Sequence, residues 1–163
     1  MSGTPENIII GAAVVFVNGA DLGYTKNGQT VRYKPEFVTV VADQANGTVR
    51  KGRSQESMFV KWTLLEVSLE QLRIAMMQPA ENLVTPYTTL VLGYNDACFT
   101  DEVEIELVGS GPDCGVRTFN FPRCVITDAE RMYEMKRDQE VMFEMEFEIL
   151  KDSSGHFGTI VDG

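Results

Sequence analysis

Two alternating runs of glutamate are the part of this sequence best spaced for chemistry. Glu102, Glu104 and Glu106 alternate with Val103, Ile105 and Leu107, and Glu140, Glu144, Glu146 and Glu148 share one side of a run whose other side carries Val141, Phe143, Met145, Phe147 and Ile149. On a β-strand, same-face neighbours lie roughly 6.5–7 Å apart. Carboxylates at that separation invite comparison with glycoside hydrolysis. Such a pair needs two different environments to drive its pKa values apart, and a uniform ladder offers none. The ladder therefore argues against an enzyme. His156, the single histidine, stands in SSGHFG, so neither a triad nor a multi-histidine metal site can be built around it. No glycine-rich phosphate loop matches the established spacings. No metal or cofactor is expected.

The ladder has two physical readings. Two unit charges at that distance repel by about 0.6 kcal/mol in bulk water, so the stripe carries a modest stability cost. An ordinary solvated face accounts for it, and the charge pattern alone favours that reading. A surface selected to be negative is the sharper alternative. Copies of such a strand around a channel would repel DNA over a Debye length, ~8 Å at physiological salt. The formal net charge of −10 argues against a protein that grips nucleic acid, not against one that lets it pass. Arg50, Lys51 and Arg53 form the one tight basic cluster, read as a solvated tip or a protein contact. Cys98, Cys114 and Cys124 show no paired spacing and read as small buried hydrophobes in a reducing compartment. Ile8 to Val17 is too short to span a bilayer and lacks a basic start, so it reads as a buried strand of a chain folded in the cytoplasm.

The elements that must position these residues are strands separated by turns. Val14 to Val17 ends at Asn18-Gly19, a tight-turn pair tolerant of positive φ. A second strand is expected from about Thr30 to Val41, with Val31, Tyr33, Phe37 and Val41 on one face and Arg32, Lys34 and Glu36 on the other. A polar loop from Ala42 to Ser57 follows, then a strand from Met58 to Val67 containing Trp62. Ser68 and Gln71 have capping-box spacing and open a helix with a stripe of Leu69, Leu72, Ala75 and Met76, closed by Pro79. Thr88 to Tyr94 reads as a strand buried on both faces. Thr118 to Ile126 reads as a strand broken by Pro122 at an edge or bulge. Tyr133 to Ile149 reads as one long final strand. The expectation is a single mainly-β domain over residues 1–163: a β-sandwich or partly open barrel with one short flanking α-helix, a long hairpin loop and a flexible arm at 1–10.

The order of these segments resembles the major tail protein, or tail tube protein, family of tailed phages. Three stretches carry the likeness: VVFVNGADLGYTKNGQTVRYKPEF from Val14, the passage from Asp43 to Met77 leading through a long strand into a capped helix, and FNFPRCVITDAERMYEMKRDQEVMFEMEFEILKDSSGHFGTI from Phe119. The last strand departs from the family in its richness in glutamate and methionine. The resemblance implies a structural virion protein, assembled in the bacterial host cytoplasm, whose hexameric rings stack into a tube. It implies contact with the tape measure protein, the tail terminator, distal tail or baseplate proteins and, where the tail has one, a sheath, with DNA passing through. Under it, the loop 42–57 reaches a neighbouring subunit through Arg50, Lys51 and Arg53. Glu140, Glu144, Glu146 and Glu148 face the bore, with Glu102, Glu104 and Glu106 as weaker candidates. Tube proteins of contractile injection systems and type VI secretion share the architecture. A carbohydrate-binding β-sandwich is the other alternative, but the one tryptophan, Trp62, sits in an apolar strand rather than on an aromatic platform.

Overall fold

The computed structural model describes residues 11–65, 68–86, 88–93, 95, 101–128 and 133–163. The expected arm at 1–10 lies outside them, as do Val67, Tyr94 and Cys98. Asn18 and Gly19 take φ of 50° and 80°, turning β1 (Val14–Val17) back onto β2 (Ala20–Asp21). The next two strands, β3 (Thr25–Ala42) and β4 (Gly47–Leu64), are 18 residues each and pair from end to end. Residues 47–57, expected as loop, are therefore the distal half of a hairpin. A ribbon wet on both faces shows no apolar alternation, which is why its polar sequence reads as unstructured.

The helix α1 (Leu69–Ala75) starts where expected. Ser68 Oγ accepts from the Gln71 N–H at 3.2 Å, and Gln71 Oε1 accepts from the Ser68 N–H at 2.9 Å, a cap worth about 1 kcal/mol. Gln71 does more than cap: its Nε2 donates to the Leu22 carbonyl at 2.7 Å. The packing face is rotated from the expected stripe, with Gln71, Arg73, Ile74 and Ala75 buried and Leu72 and Met76 at the margin of the core.

Short β5 (Leu83–Val84) and β6 (Thr89–Leu90) form a two-stranded sheet of their own. This replaces the buried strand expected from Thr88: Leu92 beyond it is 64% exposed. The remaining strands are β7 (Val103–Ser110), β8 (Val116–Ile126), β9 (Phe143–Ile149) and β10 (Thr159–Asp162). The final strand begins at Phe143, not Tyr133. Residues 133–142 are not strand: the chain turns at 137–139, with Asp138 at φ 65°, and the Tyr133 ring lies 6.3 Å from that of Phe143.

These strands build one antiparallel sheet in the order β2-β1-β7-β8-β9-β4-β3, with β10 beside β8. Pro122 lies where the register between β7 and β8 slips, a bulge, and in the stretch of β8 between Asn120, which faces β10, and Cys124, which faces β9, where among the described residues no strand pairs on the other side. The sheet curls over one core. Val15, Val17, Val60, Trp62, Leu64, Ile105, Phe121, Phe143, Met145 and Phe147 are all buried in it, and Ile74 and Ala75 of α1 join them. The two ends of the sheet approach without closing into a barrel: the Ala13 N–H donates to Gln29 Oε1 of β3 at 2.8 Å. Among the described residues the fold is mainly β with a single short α-helix, fitting the expected sandwich or partly open barrel. Cys124 is buried as expected, its thiol pushed up to about 12 by that burial. Cys114, expected to be buried, is exposed in the turn before β8.

Candidate functional site

Strand alternation sends Phe143, Met145, Phe147 and Ile149 into the core, so Glu144, Glu146 and Glu148 stand on the opposite, outer face of β9. Glu104 and Glu106 do the same on β7. Strand β8 lies between them, and its Cys124 faces both Val103 and Ile149, so the two ladders run away from that level in opposite directions rather than side by side. Glu102 and Glu140 are not on strands. Glu102 precedes β7 and holds Arg123 through two bonds of 2.9 and 2.7 Å. Glu140 precedes β9 and pairs with Lys26.

The ladder on β9 is not bare. Strand β4 lies beside it, placing Lys61 opposite Glu146 and Thr63 opposite Glu144. Lys61 Nζ reaches Glu144 Oε1 at 2.9 Å, and Arg32 of β3 reaches Glu146 Oε1 at 3.7 Å. Glu148 stands between Phe59 and Val125, and the Arg32 guanidinium lies 4.7 Å from the Phe59 ring centre. The outer face is therefore a mixed field of anions and cations from β9 to β3, and acidic at β7, where Glu104 accepts from Asn120 at 3.2 Å. Sequence reasoning missed the cations because they come from strands far away along the chain. Their alternation, Lys61 between Val60 and Trp62, was the available signal.

The basic cluster is divided among three roles. Lys51 Nζ lies 4.7 Å from the Phe37 ring centre, and Arg53 donates to Glu56 at 3.0 Å. Arg50 is exposed on the opposite face of the hairpin, beside Val40. A cleft of about 530 Å3 opens where the two ends of the sheet approach, lined by Ala13, Gln29, Val31, Leu107, Arg117 and Phe119 among others. The glutamate ladders lie outside it. Among the described residues, no group of His, Cys, Asp or Glu is arranged to hold a metal ion, and no helix is long and apolar enough to cross a membrane.

No protein family and no curated protein matches this sequence. Among solved structures, a chain of the virion of native gene transfer agent (GTA) particle is similar, with a TM-score of 0.48 and 11% identity over 99% of each chain.

Several carboxylates are held below their usual range. Glu56 is lowered to about 2, first by Lys151 and then by Tyr33, both donating to it. Arg123 lowers Glu102, Lys26 lowers Glu140, Arg117 lowers Asp162, and the His156 backbone N–H lowers Asp152. A carboxylate lowered by folding stabilises the protein above its unfolded value and loses that contribution as pH falls through its folded one. For Glu56 the window runs from 4.5 down to about 2. The melting temperature is expected to fall across that window, and Glu56→Gln to fall less. Thermal melts at stepped pH check this, and superimposable profiles would refute the assignment.

Proposed function

We propose that this chain is a structural virion protein that assembles into stacked hexameric rings forming a phage tail tube. The observation that carries the reading is the distal half of the β3–β4 hairpin. Strand β9 supports β4 from Met58 to Leu64, and, among the described residues, 47–57 of β4 pair with β3 alone. Phe37, Val38, Val40, Val41 and Val49 of this arm are exposed, Val41 by 65%. A lone two-stranded ribbon is marginal in water, and clustered exposed apolar residues mark protein contacts. The arm is thus built to be completed by another chain. Among the described residues no strand pairs with the outer edges of β2 and β3, which supply further pairing surface.

In this reading Arg50 and Lys51 meet acidic groups of a neighbouring copy, while Arg53 is already engaged within its own subunit. Glu148, Glu104 and Glu106 contribute most to an acidic bore, since Glu144, Glu146, Glu140 and Glu102 have cations beside them. The tape measure protein, and later DNA, would pass along that face. A tube protein of a contractile injection system would use the same arm and face.

Negative-stain microscopy of the purified protein, concentrated or mixed with tail extract, tests the proposal. Rings or tubes are expected. Monomers at every concentration, with extract or without, would refute it.

A further inference from the structure

The large sheet forks at Ile149. There, β9 pairs with Met58 of β4 on one side and Cys124 of β8 on the other. Past that point the middle strand is gone. On one side, β10 resumes against β8, with Thr159 opposite Asn120. On the other, the β3–β4 arm continues by itself. A cleft of about 320 Å3 separates the two leaves, lined by Tyr33, Met58, Phe121, Phe157 and Ile160, with Glu56 among them.

Glu56 stands where the leaves part. It shares the inner face of β4 with Met58 and Val60 by strand alternation, and its carboxylate collects three donors. Tyr33 Oη of β3 donates at 2.6 Å, Arg53 Nη1 of β4 at 3.0 Å, and Lys151 Nζ, just past the end of β9, at 2.7 Å. The Arg53 contact depends on a bulge. Glu36 faces Gln55 but Phe37 faces Arg53, so Ser54 is the extra residue, its Oγ donating to the Glu36 carbonyl at 3.1 Å. One extra residue reverses which face the following side chains occupy. Without it Arg53 would point away from Glu56. Lys151 is fixed in turn over the Phe157 ring, 5.2 Å from its centre. One carboxylate therefore ties both strands of the arm to the segment that leaves the body of the sheet.

We infer that Glu56 is a clamp that sets the angle at which the arm leaves the sheet and the width of the fork beside it. This role belongs to the isolated subunit and holds whether or not the subunit forms tubes. The bulge at Ser54 lies between Glu56 and Arg53, so the Arg53 bond spans it, while Tyr33 and Lys151 hold Glu56 from the body side.

Hydrogen–deuterium exchange on the full-length chain, dilute enough to stay monomeric, tests this. In Glu56→Ala, peptides covering 50–57 and 151–158 are expected to exchange about tenfold faster, as for a locally released element, with 60–64 and 143–149 unchanged. Lys151→Met, which cuts the same tie from the other leaf, is expected to move the same peptides in the same direction. Small-angle scattering should show a broader distance distribution at unchanged mass in both variants. Glu144→Gln, which removes an ion pair on the outer face, should leave the arm root as it was. Unchanged exchange at 50–57 in both clamp variants, or an equal rise throughout β4 and β9, overturns the inference.

Discussion

Replacing residues 37–54 by Asn-Gly is expected to leave a folded body that no longer assembles. Glu36 and Gln55 face each other across the hairpin, and a two-residue Asn-Gly loop closes antiparallel strands at that separation with a compatible twist. The cut removes the exposed Phe37, Val38, Val40, Val41 and Val49 while leaving every strand pair that β9 supports. Nothing in the core cluster comes from the excised segment, so the melting transition should stay cooperative. The Arg53 bond to Glu56 goes with the arm, but Tyr33 and Lys151 remain on that carboxylate. The expected result is monomeric protein in sedimentation under conditions where the parent forms rings, with native circular dichroism. Tubes formed normally by the trimmed chain would remove the arm from the assembly mechanism.

Trp62 is where a single side chain is expected to cost the most stability. It is 1% exposed, stacks on Phe147 with ring centres 5.3 Å apart, and sits between Met145 of β9 and Gln29 of β3. Truncating such a residue removes both its transfer free energy and the packing around it, so Trp62→Ala should cost roughly 3–5 kcal/mol. That is a large share of the 5–15 kcal/mol typical of a whole domain. Trp62→Phe should behave quite differently. The indole N–H is buried with no hydrogen-bond partner among the described residues, and an orphaned donor costs about 1–3 kcal/mol. Phenylalanine keeps the stacking ring and deletes that donor, offsetting the smaller volume, so the change should stay within about 1 kcal/mol. Urea denaturation with an unchanged slope reads both variants. A phenylalanine cost approaching that of alanine would mean that the N–H has a partner in solution.

Local signals in the sequence located the elements, and long-range pairing decided what those elements present. Asn18-Gly19, the Ser68–Gln71 box and the alternation through Val103–Leu107 and Phe143–Ile149 each depend on residues a few positions apart, and each stands in the structure where the pattern put it. The glutamate ladder was equally plain, but its charge balance was not. That balance depends on β4 and β3 lying beside β9, which brings Lys61 and Arg32 to Glu144 and Glu146, and no local pattern encodes strand order. The β4 side of the arm was hidden for a different reason. Binary patterning reports a buried face, and this ribbon has none. The role of Arg53 turned on a single bulged residue, Ser54, whose effect is visible only in the register. The alternation read from Tyr133 to Val141 lacked a neighbouring strand to make it real.

The interleaving of Lys61 and Arg32 with Glu144 and Glu146 changes how that side of the sheet would treat a charged polymer sliding past. A wall of one sign works by repulsion, and added electrolyte weakens it. Ammonium and carboxylate groups packed side by side instead hold a tight water layer and present almost no net pull to a polyanion or a polycation. Slipperiness of that kind, like that of zwitterionic coatings, is insensitive to the ionic conditions outside.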